Sequence, residues 1–314
     1  MIIQSAIAAS VPMFIYLMLI WKYDMYDREP FILVLRNYLW GAMGAVFFAL
    51  IGSYILSFIV GVFVDDKLTL QHIETVVIAP FVEETTKGLF ILLTISSRKF
   101  DNMTDGIVYG GAIGLGFGMT ENFLYFITYQ STMSAWVTMV VVRTLFSGVM
   151  HCVSTATLGA FLGYAKFKNL FYKMTFPFIG LAAAIFIHFM WNYSITFDST
   201  ELLGFLFMIA TILIFILVFS LSLQNERKII YRELREEAEN GVIPVEHLEI
   251  LNSPVRNKLG WIDEKIRKLY IQAATTLAFR KMQYRNTKGY NKIYYENAVV
   301  EYRNYIQSLL ASAE

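Results

Sequence analysis

The chain has 314 residues, 56% of them apolar and 16% charged, with a formal net charge of +1 and a mean hydropathy of +0.51. That balance excludes an ordinary soluble domain and describes a polytopic membrane protein. It offers no basic footprint for nucleic acid, and the single cysteine, Cys152, excludes an internal disulfide framework.

A bilayer-crossing helix needs roughly 17–25 residues, and the chain offers seven apolar runs of that kind, at 2–21, 37–64, 73–96, 105–128, 135–164, 174–194 and 201–223. The first lacks a basic flank and continues to Trp21, which reads as a retained span rather than a cleaved signal. Lys22, Arg28 and Arg36, then Arg98 and Lys99, then Lys166, Lys168 and Lys173 fall in alternate connections, while the opposite ones carry only Lys67. The excess of Lys and Arg marks the cytoplasmic face. The N-terminus is therefore expected outside and the C-terminus in the cytoplasm.

Residues 1–223 form the expected membrane core and 224–314 a cytosolic helical extension, where 15 of the 26 Lys and Arg fall. Arg227 to Asn240 should be a helix stopped by Gly241. Ser253-Pro254 has the form of an N-cap followed by a first-turn proline, and Tyr295, Val299, Tyr302, Ile306 and Leu309 make one apolar stripe. The fold class is all-α, a membrane helix bundle with a helical extension.

The third run carries Pro80, Glu83, Glu84, Thr85, Thr86 and Lys87 at bilayer depth. A charge there costs about 2.5–3.5 kcal/mol on insertion scales and marks a functional site with a partner. Pro80 should kink the helix just before the pair. Gly110, Gly114 and Gly118 give the fourth run a small-residue face for close helix packing, leading to Glu121-Asn122. Arg143, Ser147, His151 and Thr155 make one polar stripe on the fifth run, and His188 and Asn192 recur at i,i+4 on the sixth. Thr85, Thr86, Ser147 and Thr155 are expected to bond carbonyls of their own helices.

Two histidines and a glutamate can hold a catalytic zinc with water in an open position, and a spare carboxylate can deprotonate that water. A buried glutamate acting on water without metal, with His188 and Asn192 stabilising the oxyanion, uses the same residues. Spacing leaves both open. Adjacent glutamates on a helix cannot both face one ion, so divided roles are expected. Glu84 is favoured as the base because Lys87 at i,i+4 should engage Glu83; the preference reverses if Lys87 reaches Glu84 at i,i+3.

Glu83-Glu84-Thr85-Thr86-Lys87 resembles the EExxK motif of the PrsW family of intramembrane proteases, and Phe117 to Asn122 resembles its FxxxEN motif. His151 after Arg143, and His188 with Trp191-Asn192, resemble the remaining two blocks. The resemblance implies a bacterial cytoplasmic-membrane protease that makes the first cut in a membrane-anchored anti-sigma factor. Glu83, Glu84 and Asn192 are the expected catalytic residues, and Glu121, His151 and His188 the expected ligands of a divalent metal, zinc by preference. Lys87, Asn122 and Arg143 support them. Lys87 and Glu121 depart from the EExxxR and FxxxH patterns of the related CAAX-processing enzymes, which argues against CAAX substrates. The partners implied are a membrane-anchored protein substrate and the bilayer; the oligomeric state is not specified. A proton- or cation-coupled carrier and a non-catalytic receptor are the rival classes.

Overall fold

The computed structural model describes residues 1–97, 100–128 and 132–312. Arg98 and Lys99, two of the topology-bearing cations, lie outside the described residues. Every described element is helical, and the chain divides into two compact units: Met1–Asp24 with Glu29–Phe219, and Met25–Arg28 with Ser220–Glu314.

The first unit contains α1 (Ile2–Tyr23), α2 (Phe31–Gly61), α3 (67–94), α4 (Met103–Thr128), α5 (Met133–Ala165), α6 (Leu170–Thr196) and the first half of α7 (Glu201–Glu239). Five helical segments, Ile2–Tyr23, Phe31–Gly61, Met133–Ala165, Leu170–Thr196 and Asp198–Glu239, are long and apolar enough to cross a membrane. The expected spans at 73–96 and 105–128 are helices that do not meet that criterion, for two reasons. In α3 the stretch Ala79–Thr94 carries three charged residues, Glu83, Glu84 and Lys87. In α4, residues 104–118 are buried without a break. A helix enclosed by protein needs no apolar surface towards lipid, so α4 can carry six glycines among its 26 residues.

Those glycines set the spacing. A Cβ on Gly106, Gly110 or Gly114 would run into the backbone of α5, at the carbonyls of Gly159, Thr155 and His151 respectively. Backbone meets backbone along this seam, as small-residue faces allow in membrane helices. The core packed around α4 includes Met13 and Leu17 of α1, Val34 and Tyr38 of α2, and Cys152 of α5.

Three helices of this unit contain one wide π turn each: Trp40–Ala45 in α2, Glu74–Ile78 in α3 and Arg143–Ser147 in α5. The turn in α3 ends at Ile78, two residues before Pro80, so the helix widens where the donor-less, bulky proline enters. The expected kink therefore takes the form of a π turn.

In the second unit, the remainder of α7 joins α8 (Val245–Leu251), α9 (Glu264–Asn286) and α10 (Tyr290–Ala311). α7 ends at Glu239 and Gly241 adopts φ +71°, as the sequence requires. Ser253-Pro254 opens only a single 3-10 turn, Pro254–Asn257, because Ser253 Oγ bonds back to Ile250 O, Gly260 at φ +90° turns the chain and Asp263 caps α9 instead. Tyr295, Val299, Ile306 and Leu309 are buried on α10. Charge ties the helices together: Glu237 pairs with Lys281 at 2.6 Å and Arg303 at 2.7 Å, and Arg285 with Glu233 at 3.2 Å.

Two predictions follow from these contacts. Gly114→Ala should lower the unfolding stability of the full chain in micelles by about 1–3 kcal/mol, the cost of overpacking. Gly111→Ala, whose added carbon meets side-chain atoms of Cys152 at 3.3 Å, Ile20 at 3.4 Å and Ala156 at 3.9 Å, should cost less than half as much. Equal melting curves would contradict the backbone-contact reading. Burial pushes the Glu237 carboxyl up, but hydrogen bonds from Arg303 and Lys281 outweigh it and hold it below the usual 4.5. A depressed carboxylate contributes stability above its unfolded pKa and loses it as pH falls through the folded one. Amide protection across 264–311, corrected for intrinsic exchange, should therefore fall below about pH 4.5. Glu237→Gln should cost about 2 kcal/mol at pH 7 and flatten that acid dependence.

Candidate functional site

The site is assembled from one face each of α3, α4, α5 and α6. Its centre is the ammonium of Lys87, fully buried. Lys87 Nζ lies 2.8 Å from Glu84 Oε1, 2.9 Å from His151 Nδ1, 3.5 Å from Glu83 Oε2 and 3.9 Å from the centroid of the Phe117 ring. Two carboxylates, an imidazole lone pair and an aromatic face thus surround one cation, which is how a charge survives where water is absent.

Glu84 is as buried as the lysine, and every contact it makes fixes it. It accepts from Lys87 Nζ and His188 Nδ1 (3.0 Å) at Oε1, and from Thr155 Oγ1 (3.0 Å) at Oε2. Lys87 therefore reaches Glu84 at i,i+3 with the shorter contact and Glu83 at i,i+4 with the longer one. The reversal condition is met, and Glu83 becomes the freer carboxylate. Its side chain is 12% exposed, and its Oε2, buried and without a hydrogen-bond partner, faces His188 Nε2 at 3.9 Å.

On the other side, Glu121 Oε2 accepts from His151 Nε2 at 2.6 Å and from Arg143 Nη2 at 2.7 Å. Arg143 Nε donates to Asn122 Oδ1 at 2.9 Å, and its guanidinium lies 3.7 Å from the Tyr125 ring centroid. The wide turn at Arg143–Ser147 re-aims the arginine while leaving Ser147 and His151 on the inner face. Asn192 stands slightly apart: its amide donates to Thr75 O at 2.9 Å, tying α6 to the wide turn of α3.

His151 donates Nε2–H to Glu121 and accepts from Lys87 Nζ at Nδ1, and His188 donates Nδ1–H to Glu84 with its Nε2 turned to Glu83. Histidines that bind metal commonly donate their other N–H to a carboxylate in this way. One donor atom from each of Glu83, His151 and His188 lies within 4.8 Å of the others. Two imidazoles and a carboxylate oxygen without a hydrogen-bond partner are a donor set that a divalent cation takes, and they fit a metal once the Lys87 ammonium moves off His151 Nδ1. The convergent carboxylate is Glu83, while Glu121 sits one bond further out, on His151.

Several contacts were hidden from spacing. Thr85 and Thr86 do bond carbonyls of their own helix, Phe81 O and Glu83 O. Thr155 instead donates to Glu84, and Ser147 accepts from Trp191 Nε1 at 3.2 Å. The polar stripe on α5 signalled that these hydroxyls face inward, but not what they meet. Phe117 reads as a motif position without revealing its contact with Lys87.

Residues 29–221 match the model of the PrsW family intramembrane metalloproteases. The chain belongs to the PrsW family. It is 26% identical over 196 residues to Protease PrsW of Bacillus subtilis (strain 168), covering 62% of this chain and 83% of that protein. Against Protease PrsW of Clostridioides difficile (strain 630) the identity is 26% over 182 residues, covering 57% and 74%. Against that of Oceanobacillus iheyensis it is 30% over 149 residues, covering 45% and 62%. No solved structure matches. The protein is a membrane peptidase with transmembrane helices, and the matched segment contains every residue of the cluster.

Removing the central cation should be far more damaging than neutralising the free carboxylate. Lys87→Met leaves Glu84 buried without its counter-ion and should cost about 3–5 kcal/mol. Glu83→Gln should stay within about 1 kcal/mol of the wild type. Thermal unfolding of the two variants in micelles checks the order, and a Glu83→Gln loss as large as that of Lys87→Met would refute it.

Proposed function

We propose that this peptidase hydrolyses a peptide bond of a membrane-anchored protein and that Glu83, His151 and His188 are its reacting centre. The observation that carries the reading is Glu83 Oε2, a buried carboxylate oxygen without a hydrogen-bond partner, beside two histidines each held at one ring nitrogen by another carboxylate. Glu83, His151 and His188 would hold a divalent metal, zinc by preference, which supplies Lewis-acid polarisation of the scissile carbonyl and a lowered pKa for water. Glu84 holds His188, and Glu121 holds His151, each at the ring N–H. Lys87 and Arg143 are the cationic partners of those carboxylates, with Asn122 orienting Arg143. Asn192 positions the outer end of α6 through Thr75.

A metal-free second reading rests on Lys87, whose ammonium already places a cation 2.9 Å from His151 Nδ1. In that case Glu83 Oε2 takes the proton of the attacking water, and His188 stabilises the oxyanion in the form that carries a proton on Nε2 as well as on Nδ1.

The family resemblance and the four matched motifs support a regulated cut in an anti-sigma-factor-type protein. The alternation of Lys22, Arg28 and Arg36 with Lys67, and the basic 165–173 connection, support seven spans in a bacterial cytoplasmic membrane. The N-terminus would lie outside, and 224–314 would form a cytoplasmic helical subdomain. With that orientation the glutamates lie in the outer half of the bilayer, and the cut falls near its outer surface.

The test compares new protein N-termini in membranes of cells making the wild type, Glu83→Gln or His188→Ala at matched abundance. Fragments of single-span membrane proteins should appear with the wild type and fall at least about 100-fold in both variants. Identical profiles in all three would contradict the proposed reacting centre.

A further inference from the structure

A second cavity of about 730 Å³ lies in the first unit, walled by α4, α5, α6 and the first half of α7. On α5 it is lined by Val153, Ala156, Thr157, Ala160 and Tyr164. At about 100° per residue these positions cluster on the side of α5 turned away from His151 and Thr155. The cavity and the ion cluster therefore occupy opposite faces of one helix, and the cavity is no extension of the reacting centre.

Its walls are apolar. The two threonine hydroxyls present are spent on their own helices, Thr157 on Val153 O at 2.7 Å and Thr211 on Phe207 O at 2.8 Å. From Val153 to Tyr164 the groove runs 11 residues along α5, or about 16 Å. That is about half of a ~30 Å hydrocarbon core, the depth of one leaflet. A spanning helix of a substrate would need twice the length. A lipid acyl chain needs this much.

The end of the groove near the 165–173 connection is aromatic and cationic. Tyr164 stacks on Phe176 at 5.4 Å, and Tyr172 meets Phe176 at 4.9 Å. The exposed Lys168 places Nζ 4.9 Å from the Tyr164 ring centroid, and Lys173, next to Tyr172, is also exposed. Lys166, by contrast, is tied to the carbonyls of Ser97 at 2.7 Å and Phe100 at 2.6 Å. Two exposed lysines beside the aromatic end of an apolar slot one leaflet deep are complementary to a negatively charged headgroup above its tail.

From this complementarity we infer that the groove is a binding site for one anionic phospholipid, its acyl chain between α5, α6 and α7 and its phosphate at Lys168 and Lys173. The site does not depend on the protease reading. It places a lipid on the back of the helix that carries His151.

The test is native mass spectrometry of the full chain in detergent, titrated separately with phosphatidylglycerol, phosphatidylcholine and inorganic phosphate. Phosphatidylglycerol should be retained about tenfold better than phosphatidylcholine, and inorganic phosphate should not bind. The Lys168→Gln/Lys173→Gln double variant should lose that preference. Thr157→Phe, which fills the slot, should reduce retention of both lipids about tenfold. Should Thr157→Phe fail to assemble, Thr211→Phe on the facing helix serves the same purpose. Equal retention of the two lipids by the wild type, or unchanged retention in the filled variant, overturns the inference.

Discussion

The first unit depends on one buried ammonium. Lys87 sits among Glu83, Glu84, His151 and Phe117 with no exposed surface, and each of those groups is costly to bury without it. Because the cation comes from the same helix as the two glutamates, it needs no partner helix to be nearby when α3 forms. What the neighbouring helices add is discrimination. Thr155 and His188 both bond Glu84, so Glu84 is fully occupied and Glu83 is left with a free oxygen. Two adjacent, chemically identical residues acquire different tasks through their neighbours.

The rest of the bundle serves to keep that arrangement rigid. Carboxylate–histidine pairs form twice, Glu84 of α3 with His188 of α6 and Glu121 of α4 with His151 of α5, and the second needs α4 and α5 placed to within a hydrogen bond. The glycine seam of α4 supplies this placement, since Gly114 packs against the backbone of His151 itself. Structure and chemistry thus meet at one residue: the carbonyl of His151 sets a helix spacing and its ring belongs to the group that could hold a metal. The wide turns in α3 and α5 lie within a few residues of Glu83 and His151, and such turns recur at functional sites because they re-aim side chains without breaking the helix.

Much of this was legible in the sequence, for physical reasons. Charges in apolar runs are rare enough that Glu83, Glu84, Lys87, Glu121, Arg143 and His151 identified themselves, and helical periodicity grouped Ser147, His151 and Thr155 on one face. Periodicity on a single helix, however, says nothing about which partner atom lies opposite. Whether Lys87 turned to i,i+3 or i,i+4 depended on Thr155 and His188, contributed from 71 and 104 residues away. The same gap hid the second end of the Ser147 contact and the π turns, which depend on backbone crowding rather than on a residue pattern. The Ser253-Pro254 signal was a sound local cap overruled by Gly260 and Asp263 just downstream.

The central claim is that Glu83, His151 and His188 are a prepared ligand set, fixed by Glu84 and Glu121 behind them. Metal stoichiometry of the purified full chain tests it most directly. After exchange into metal-free buffer and back into trace zinc, the wild type should hold about one tightly bound ion per chain, and Glu83→Gln and His188→Ala should lose it while keeping their fold. Metal bound equally by the wild type and both variants, or a wild type that cleaves its substrate with none bound, would contradict the account.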